Sequence, residues 1–213
     1  MNRLSLSFNL AGVFFLILVV SQSVYANQNL QQDNQHVQGW NKFVDDALAL
    51  HAKLTANKKL DIKNRVGSYA TNKDFYIESQ YYDKGRLISQ LQWEKDKPKK
   101  IHTIEVYVRD NKGRVIRDFM AAYLPQYRNA PIQTLISFHH YNNNLHAFRS
   151  FDASGEIVLE RCTGTNAQGQ VVNLLLDENE LFNDNEGVME SAKYESCFKG
   201  LKQNELGKYI IPQ

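Results

Sequence analysis

Lys84-Gly85-Arg86-Leu87-Ile88 recurs as Lys112-Gly113-Arg114-Val115-Ile116 within the stretch Phe75–Leu124. Each copy follows an Asp or Asn and is flanked by runs rich in β-branched and aromatic residues. Such runs favour strands, and a glycine at a hairpin tip supplies the positive φ that other residues adopt only at a cost. The repeated motif therefore predicts two β-hairpins at the centre of the fold.

Turn-forming sequences recur about every 14 residues along the chain. They lie at Gly85, 97–100, Gly113, 125–129, 141–144, Gly155 and Gly169. Seven turns at one spacing predict eight strands of roughly ten residues, each about 30 Å long. We predict an α+β fold with a long antiparallel up-and-down β-meander, curved or half-barrel, covered by an N-terminal amphipathic helix and a C-terminal helix.

The first hairpin predicts one apolar and one polar face. A three-residue loop over 83–85 would pair Tyr81 with Leu87 and Phe75 with Trp93, which puts apolar residues together. The opposite face would carry Tyr76, Glu78, Gln80, Tyr82, Arg86, Ile88, Gln90 and Gln92. This alternation is typical of an antiparallel sheet with one face covered and the other in solvent.

Apolar residues at three- and four-residue spacing predict the N-terminal helix over 37–58. Its stripe includes Val37, Trp40, Val44 and Ala47, and such a stripe is built for burial. A second helix is predicted from Val188 to about Leu201, and a short edge strand at 208–211.

The N-terminus has the pattern of a secretory signal peptide. Arg3 precedes the apolar run Leu10–Val20, and Val24-Tyr25-Ala26 suits a signal peptidase. We predict residues 1–26 as a cleaved signal peptide, 27–36 as a flexible leader and 37–213 as one domain. The mature protein is then periplasmic or secreted, with no transmembrane segment, because the apolar run is short for a membrane span.

The two cysteines, Cys162 and Cys197, fall in a chain predicted to enter an oxidising compartment. An even pair in that setting predicts one disulfide, which would join the seventh strand to the C-terminal helix. The alternative is a reactive thiol, but no Cys-x-x-Cys motif accompanies it.

Charge and motifs argue against several functional classes. The formal net charge is +2, from 25 basic and 23 acidic residues, whereas a dedicated nucleic-acid binder carries a lopsided charge. The segment Gly164–Gln170 has Gln where a phosphate-binding loop requires Lys. The segment 182–193 has Asp184 and Gly187 at calcium-loop spacing, but Phe182 and Lys193 occupy the first and last ligand positions. No cofactor is predicted.

Three histidines suggest a metal site. His139 and His140 end the fifth predicted strand, and His146 begins the sixth. A two-residue loop would pair His146 with His139, and a three-residue loop would pair it with His140. Either register could place two imidazoles near one metal ion. The alternative is a set of exposed or core-edge histidines, and no serine lies in a nucleophile-elbow context.

Basic residues gather at both predicted sheet edges. Lys84, Arg86, Arg109, Lys112 and Arg114 lie at one edge, and Lys95, Lys97, Lys99 and Lys100 at the other. They could attract an anionic partner, or they could solubilise the turns and discourage edge pairing. The candidate contact residues are Trp40, Tyr76, Tyr82, Arg86, Trp93, Tyr107 and Arg114.

Two resemblances accompany these patterns. Tyr82–Leu87 resembles a shortened copy of the Tyr-Asp hairpin repeat of large bacterial surface and toxin proteins, and Val108–Val115 resembles a second copy without the Tyr. The match covers two turns and implies no family. The layout of signal peptide, helix and meander is similar to that of the periplasmic lipoprotein carriers, which enclose an apolar cavity.

Three functional hypotheses follow. The leading one is a non-catalytic binding or accessory protein that engages a protein partner of the cell envelope through its sheet face or turn edge. The first alternative is a carrier of a lipid or other apolar ligand held between sheet and helix. The second is a metal-binding protein or enzyme that uses His139, His140 and His146.

Overall fold

A computed structural model describes residues 35–69, 72–124, 129–183, 187–201 and 212. The strands are β1 (Asp61–Tyr69), β2 (Asn72–Asp83), β3 (Arg86–Glu94), β4 (Lys97–Arg109), β5 (Val115–Ala122), β6 (Gln133–Asn142), β7 (Asn144–Phe151), β8 (Ile157–Thr165) and β9 (Val171–Asp177). The helices are α1 (Gln35–Thr55), α2 (Glu178–Phe182), a 3₁₀ helix (Val188–Glu190) and α3 (Ala192–Phe198). The predicted signal peptide, most of the predicted leader and the predicted strand at 208–211 lie outside the described residues.

The strands form one antiparallel sheet in strict sequence order from β1 to β9. The predicted α+β meander is confirmed, and the sheet is open because β1 and β9 pair with one neighbour each. The strand beyond the expected eight is β1. Its Ile62 and Val66 are exposed, so β1 lacks the buried alternation that marks the other strands.

Three turns share one construction, which explains the regular spacing in the sequence. Asp110, Asp152 and Asn166 each accept hydrogen bonds from the backbone N–H groups two and four residues later. Gly113, Gly155 and Gly169 each follow three residues after that side chain and have positive φ. The side chain thus replaces backbone partners in the turn, and glycine supplies the left-handed step.

The first hairpin differs from its predicted register by two residues. Asp83 pairs with Arg86 across the two-residue loop Lys84-Gly85, in which both residues have positive φ. A bulge after Tyr81 then pairs Tyr81 with Ser89 rather than with Leu87. From Tyr81 inwards the face assignment survives, because a shift of two residues returns a side chain to the same side of the sheet. At the tip the shift is one residue, so Leu87 lies opposite Tyr82, and the predicted faces of Leu87 and Arg86 are wrong.

Other predicted boundaries also change. Residues 97–100 lie in β4, and the preceding turn is at Lys95-Asp96. Helix α1 begins at Gln35, inside the predicted leader, and ends at Thr55. The predicted C-terminal helix is divided at Ser191, whose extended backbone and side chain cap α3 at its N-terminus. The predicted turn at 125–129 falls mainly outside the described residues.

Two groups of helices cover the same face of the sheet, here named the covered face. Phe43, Val44, Ala47 and Leu50 of α1 pack with buried residues of β3 to β6. Cys197 and Phe198 of α3 pack with buried residues of β7 to β9. Each fully buried aliphatic or aromatic side chain contributes roughly 1.5–3 kcal/mol, so the hydrophobic core of the fold lies on this face.

The disulfide Cys162–Cys197 joins β8 to α3 across a sequence separation of 35 residues, as predicted. Reduction, or a Cys162→Ala/Cys197→Ala variant, should lower the free energy of unfolding by roughly 2–4 kcal/mol, because the unfolded chain loses a loop constraint. Urea denaturation of the oxidised and reduced protein tests this prediction. Equal unfolding midpoints would contradict it.

No helix within the described ranges is long and apolar enough to span a membrane.

Candidate binding face

The face opposite the two helical groups, here named the open face, is lined by polar and aromatic side chains. Within the described part of the chain, the buried contacts of α1 and α3 are all made to the covered face. The strand register places on the open face Glu78, Gln80, Tyr82, Gln90, Gln92, Glu105, Tyr107, Asp118, His139, Tyr141, His146, Phe148 and Arg161. Most of them are half-buried by their neighbours, so they form a ready-made surface.

A hydrogen-bonded network built on Glu78 occupies the β1–β3 end of the open face. The Glu78 side chain is fully buried, and its two oxygens accept bonds from Arg65 at 2.6 and 2.9 Å. Gln80 and Gln92 donate to the same carboxylate at 3.0 and 2.9 Å. Burial alone would raise the pKa of Glu78, but the bonds from Arg65 and Gln92 outweigh it and lower that pKa. This network is satisfied internally and holds the three strands in register.

The centre of the open face holds a carboxylate and two imidazoles in a line. His139 Nε2 lies 2.5 Å from Asp118 Oδ2, and His139 Nδ1 lies 2.9 Å from His146 Nε2. With both rings neutral, His139 donates to Asp118 and accepts from His146, which leaves His146 Nδ1 as the free acceptor. Adjacent strands place these groups together, since β5, β6 and β7 are neighbours.

Tyr141 and Arg114 extend this line towards the hairpin tips. The Tyr141 ring stacks on the His146 ring at 4.5 Å with an interplanar angle of 2°. The Arg114 guanidinium lies over Tyr141 at 4.7 Å and is held by Asp110 at 2.8 and 2.9 Å. We name Arg114, Tyr141, His146, His139 and Asp118 the aromatic row. Its cation–π contact and stacking fix the side chains before any partner arrives.

The three histidines predicted as metal ligands, His139, His140 and His146, do not all lie on one face of the sheet. His146 pairs with Tyr141 rather than with His139 or His140, although His139 and His146 still share the open face. His140 points to the other side, where a Cβ on Gly200 would overlap its ring. Within the residues that the structure describes, no three His, Cys, Asp or Glu side chains are arranged to hold a metal ion.

The charge state of His146 follows from its surroundings. Burial, and then the neighbouring His139 and Arg161, lower the pKa of His146, so its ring is neutral at neutral pH. The paired serines on the same face, Ser137 and Ser150, are buried and hydrogen-bonded to each other at 2.9 Å. The geometry therefore offers a recognition surface more readily than an activated nucleophile.

The other predicted contact residues divide between several places. Tyr82 and Tyr107 lie on the open face, where their hydroxyls donate to Gln80 and Glu105. Trp93 packs against the core of the covered face. Tyr76 stacks on His102 at 5.8 Å. Trp40 lines a separate cleft of about 550 Å³ with Pro131 and Ile132.

Sequence reasoning missed Asp118, Phe148 and Arg161 as members of the open face. Asp118 joins the histidines only because β5 pairs with β6 in the register that sets Asp118 opposite Ser137. Arg161 lies opposite Phe148 through the β7–β8 register. The alternation of these residues with apolar neighbours along each strand predicts which face they occupy. It does not predict which residues lie opposite them on the adjacent strands.

One end of the sheet, here named the turn edge, is basic. It consists of the β2–β3, β4–β5, β6–β7 and β8–β9 turns, with the C-terminal end of α1 beside them. Its cations are Lys58, Lys59, Lys84, Arg86, Arg109, Lys112 and Arg114, and its acids are Asp61, Asp83 and Asp110. Arg86 and Arg114, both predicted contact residues, lie here, and Arg114 also belongs to the aromatic row.

Comparison with protein-family models, with curated proteins and with solved structures finds no match for this chain. The function therefore has to follow from the site itself.

Proposed function

We propose that this protein is an exported, non-catalytic binding protein that engages an acidic protein partner of the cell envelope. The contact surface is the part of the open face that holds the aromatic row, next to the turn edge. The observation that carries the proposal is the fixed stack of Arg114, Tyr141 and His146 on a sheet face that the described helices leave uncovered.

The composition of this surface is that of an interface. Aromatic residues and arginine are enriched at the centres of protein interfaces and dominate binding energy there. Tyr107, Tyr141, Phe148 and Arg161 supply them on the open face. The row is held by its own hydrogen bonds and stacking, so little side-chain entropy is lost when a partner binds.

The charge of the turn edge favours an acidic partner. Basic side chains outnumber acidic ones there, although the whole chain is close to neutral. Such a concentration of charge accelerates association with a surface of opposite charge. This attraction weakens as the salt concentration rises.

Packing under α1 favours this proposal over the carrier hypothesis. Val37, Phe43 and Val44 are each 3% exposed, and Phe43 and Val44 contact the apolar sheet residues directly. The space between sheet and helix, where a lipid would lie, is thus filled by the helix. Trp40, a predicted contact residue, lines the separate cleft near Pro131.

Charge reversal tests the proposal. An Arg114→Glu/Arg161→Glu variant should reduce recovery of the partner at least tenfold in quantitative affinity purification from envelope extracts, equivalent to about 1.4 kcal/mol. Lys97→Glu/Lys100→Glu, at the opposite sheet edge, is the matched control and should leave recovery unchanged. Recovery that is equal for both variants, or that is insensitive to salt, would contradict the proposal.

A further inference from the structure

A cleft of about 410 Å³ lies beyond the aromatic row, between the C-terminal end of α1 and the β2–β3 and β4–β5 turns. Leu54 and Ile88 supply apolar surface inside it, and Lys84, Arg86 and Arg109 supply positive charge. The cleft shares Tyr107 and several cations of the turn edge with the region assigned above to the protein partner, but its lining contains no residue of the aromatic row.

The two copies of the Lys-Gly-Arg motif interlock at this cleft. The Arg109 guanidinium donates to the backbone oxygens of Leu87 at 2.9 Å and Gly113 at 3.0 Å, so it ties one hairpin tip to the other. The Arg86 guanidinium of the first copy lies against Gly113 of the second copy, where an added Cβ would be 2.5 Å from the guanidinium carbon. Glycine at 113 therefore makes room for Arg86 at the wall of the cleft.

Part of the charge in the cleft is uncompensated. Lys58 is paired with Asp83 at 3.2 Å. Among the described residues, Lys84 and Arg86 form no ion pair or hydrogen bond through their side chains. Burial and the Glu105 carboxylate raise the pKa of Tyr107, so its hydroxyl stays neutral at the cleft wall. The cleft thus presents free cations beside an apolar surface.

We infer that this cleft binds an anionic group, phosphoryl or carboxylate, joined to a short apolar body. Arg86 and Lys84 would contact the anion through charge-assisted hydrogen bonds. Leu54 and the largely buried Ile88 would contact the apolar part and remove it from water. The volume suits a single short chain, at the lower end of the range for small-molecule sites.

Calorimetric titration with n-octyl phosphate, below its micelle-forming concentration, tests this inference. We expect one ligand per protein, and at least tenfold weaker binding to a Lys84→Gln/Arg86→Gln variant. Lys112→Gln, in the neighbouring turn but outside the cleft lining, is the matched control and should bind as the wild type does. Inorganic phosphate should bind more weakly than the octyl ester because it lacks the apolar part.

A pair of glycine variants tests the position of Arg86 without removing its charge. Gly113→Ala and Gly85→Ala introduce the same left-handed strain, at φ +83° and +78°. Only the alanine at 113 meets Arg86, whereas nothing lies within 4 Å of a Cβ at 85. Gly113→Ala should therefore weaken n-octyl phosphate binding several-fold, and Gly85→Ala should not.

Vesicles distinguish the two sources of such a ligand. Flotation with vesicles of anionic phospholipid that depends on Arg86 would support the inference and assign a lipid headgroup. Absence of flotation, with n-octyl phosphate bound, would support a free anion. The inference is overturned if n-octyl phosphate does not bind, if inorganic phosphate binds equally well, or if Lys112→Gln weakens binding as much as Lys84→Gln/Arg86→Gln. The partner surface is tested separately, through Arg114 and Arg161, which do not line the cleft.

Discussion

Gly164→Ala is expected to lower the free energy of unfolding by about 4 kcal/mol, a large effect for one added methyl group. Gly164 has φ +133°, which L-residues rarely adopt, and an added Cβ would overlap the backbone oxygen of Asn144. It would also lie 3.1 Å from Leu145 Cα. Because the obstacle is backbone of the paired strand, relief requires β7 and β8 to separate locally.

Gly169→Ala is the matched control for this prediction. Gly169 also has positive φ, +78°, but nothing lies within 4 Å of a Cβ placed there. Its replacement by alanine should lower the free energy of unfolding by only about 1 kcal/mol, the cost of the left-handed backbone conformation. Urea denaturation monitored by circular dichroism compares the two variants, and equal losses of stability would show that the approach of β7 does not restrict position 164.

Arg149→Met is expected to lower the free energy of unfolding by about 3–5 kcal/mol, because it leaves the Glu160 carboxylate buried without its cation. The Glu160 side chain is 0% exposed, and it accepts a hydrogen bond from Arg149 Nε. Arg149 also donates to the Tyr194 hydroxyl at 3.2 Å and to the Leu201 oxygen at 3.3 Å. The ion pair thus lies between the sheet and α3.

The double variant Arg149→Met/Glu160→Leu separates the ion pair from packing. Replacing both charges by apolar groups of similar size removes the need for compensation, and it should recover most of the lost stability. Thermal unfolding of the single and double variants measures the coupling energy between Arg149 and Glu160. A double variant as unstable as Arg149→Met would mean that the contacts to Tyr194 and Leu201, rather than the buried charge, account for the loss.

Much of the sheet can be predicted from local sequence, for identifiable reasons. The Gly113, Gly155 and Gly169 turns are built by a side chain and a glycine three residues apart, so their signal is contained within the turn itself. Away from the hairpin tip, the faces of β2 and β3 follow from alternation, which a two-residue error in register does not disturb. The disulfide follows from the even number of cysteines and the predicted compartment.

Other features depend on contacts between distant residues and could not be predicted in the same way. Strand β1 is exposed on both faces, so no burial pattern marks it. The separation of His140 from His139 and His146 depends on the β6–β7 register. The repeated Lys-Gly-Arg motif predicted two hairpins, but the contact of Arg86 with Gly113 becomes evident only when the two tips are adjacent.

The most direct test of the proposed partner surface is site-specific photo-crosslinking in producing cells. A photoreactive amino acid at Phe148 or Thr163, next to the aromatic row on the open face, is compared with one at Asp45 or Ala49, on the exposed side of α1. We predict a discrete adduct of one mass from the open-face positions, lost in the Arg114→Glu/Arg161→Glu background, and none from α1. Adducts that are equal from both sets of positions, or unaffected by charge reversal, would contradict the account.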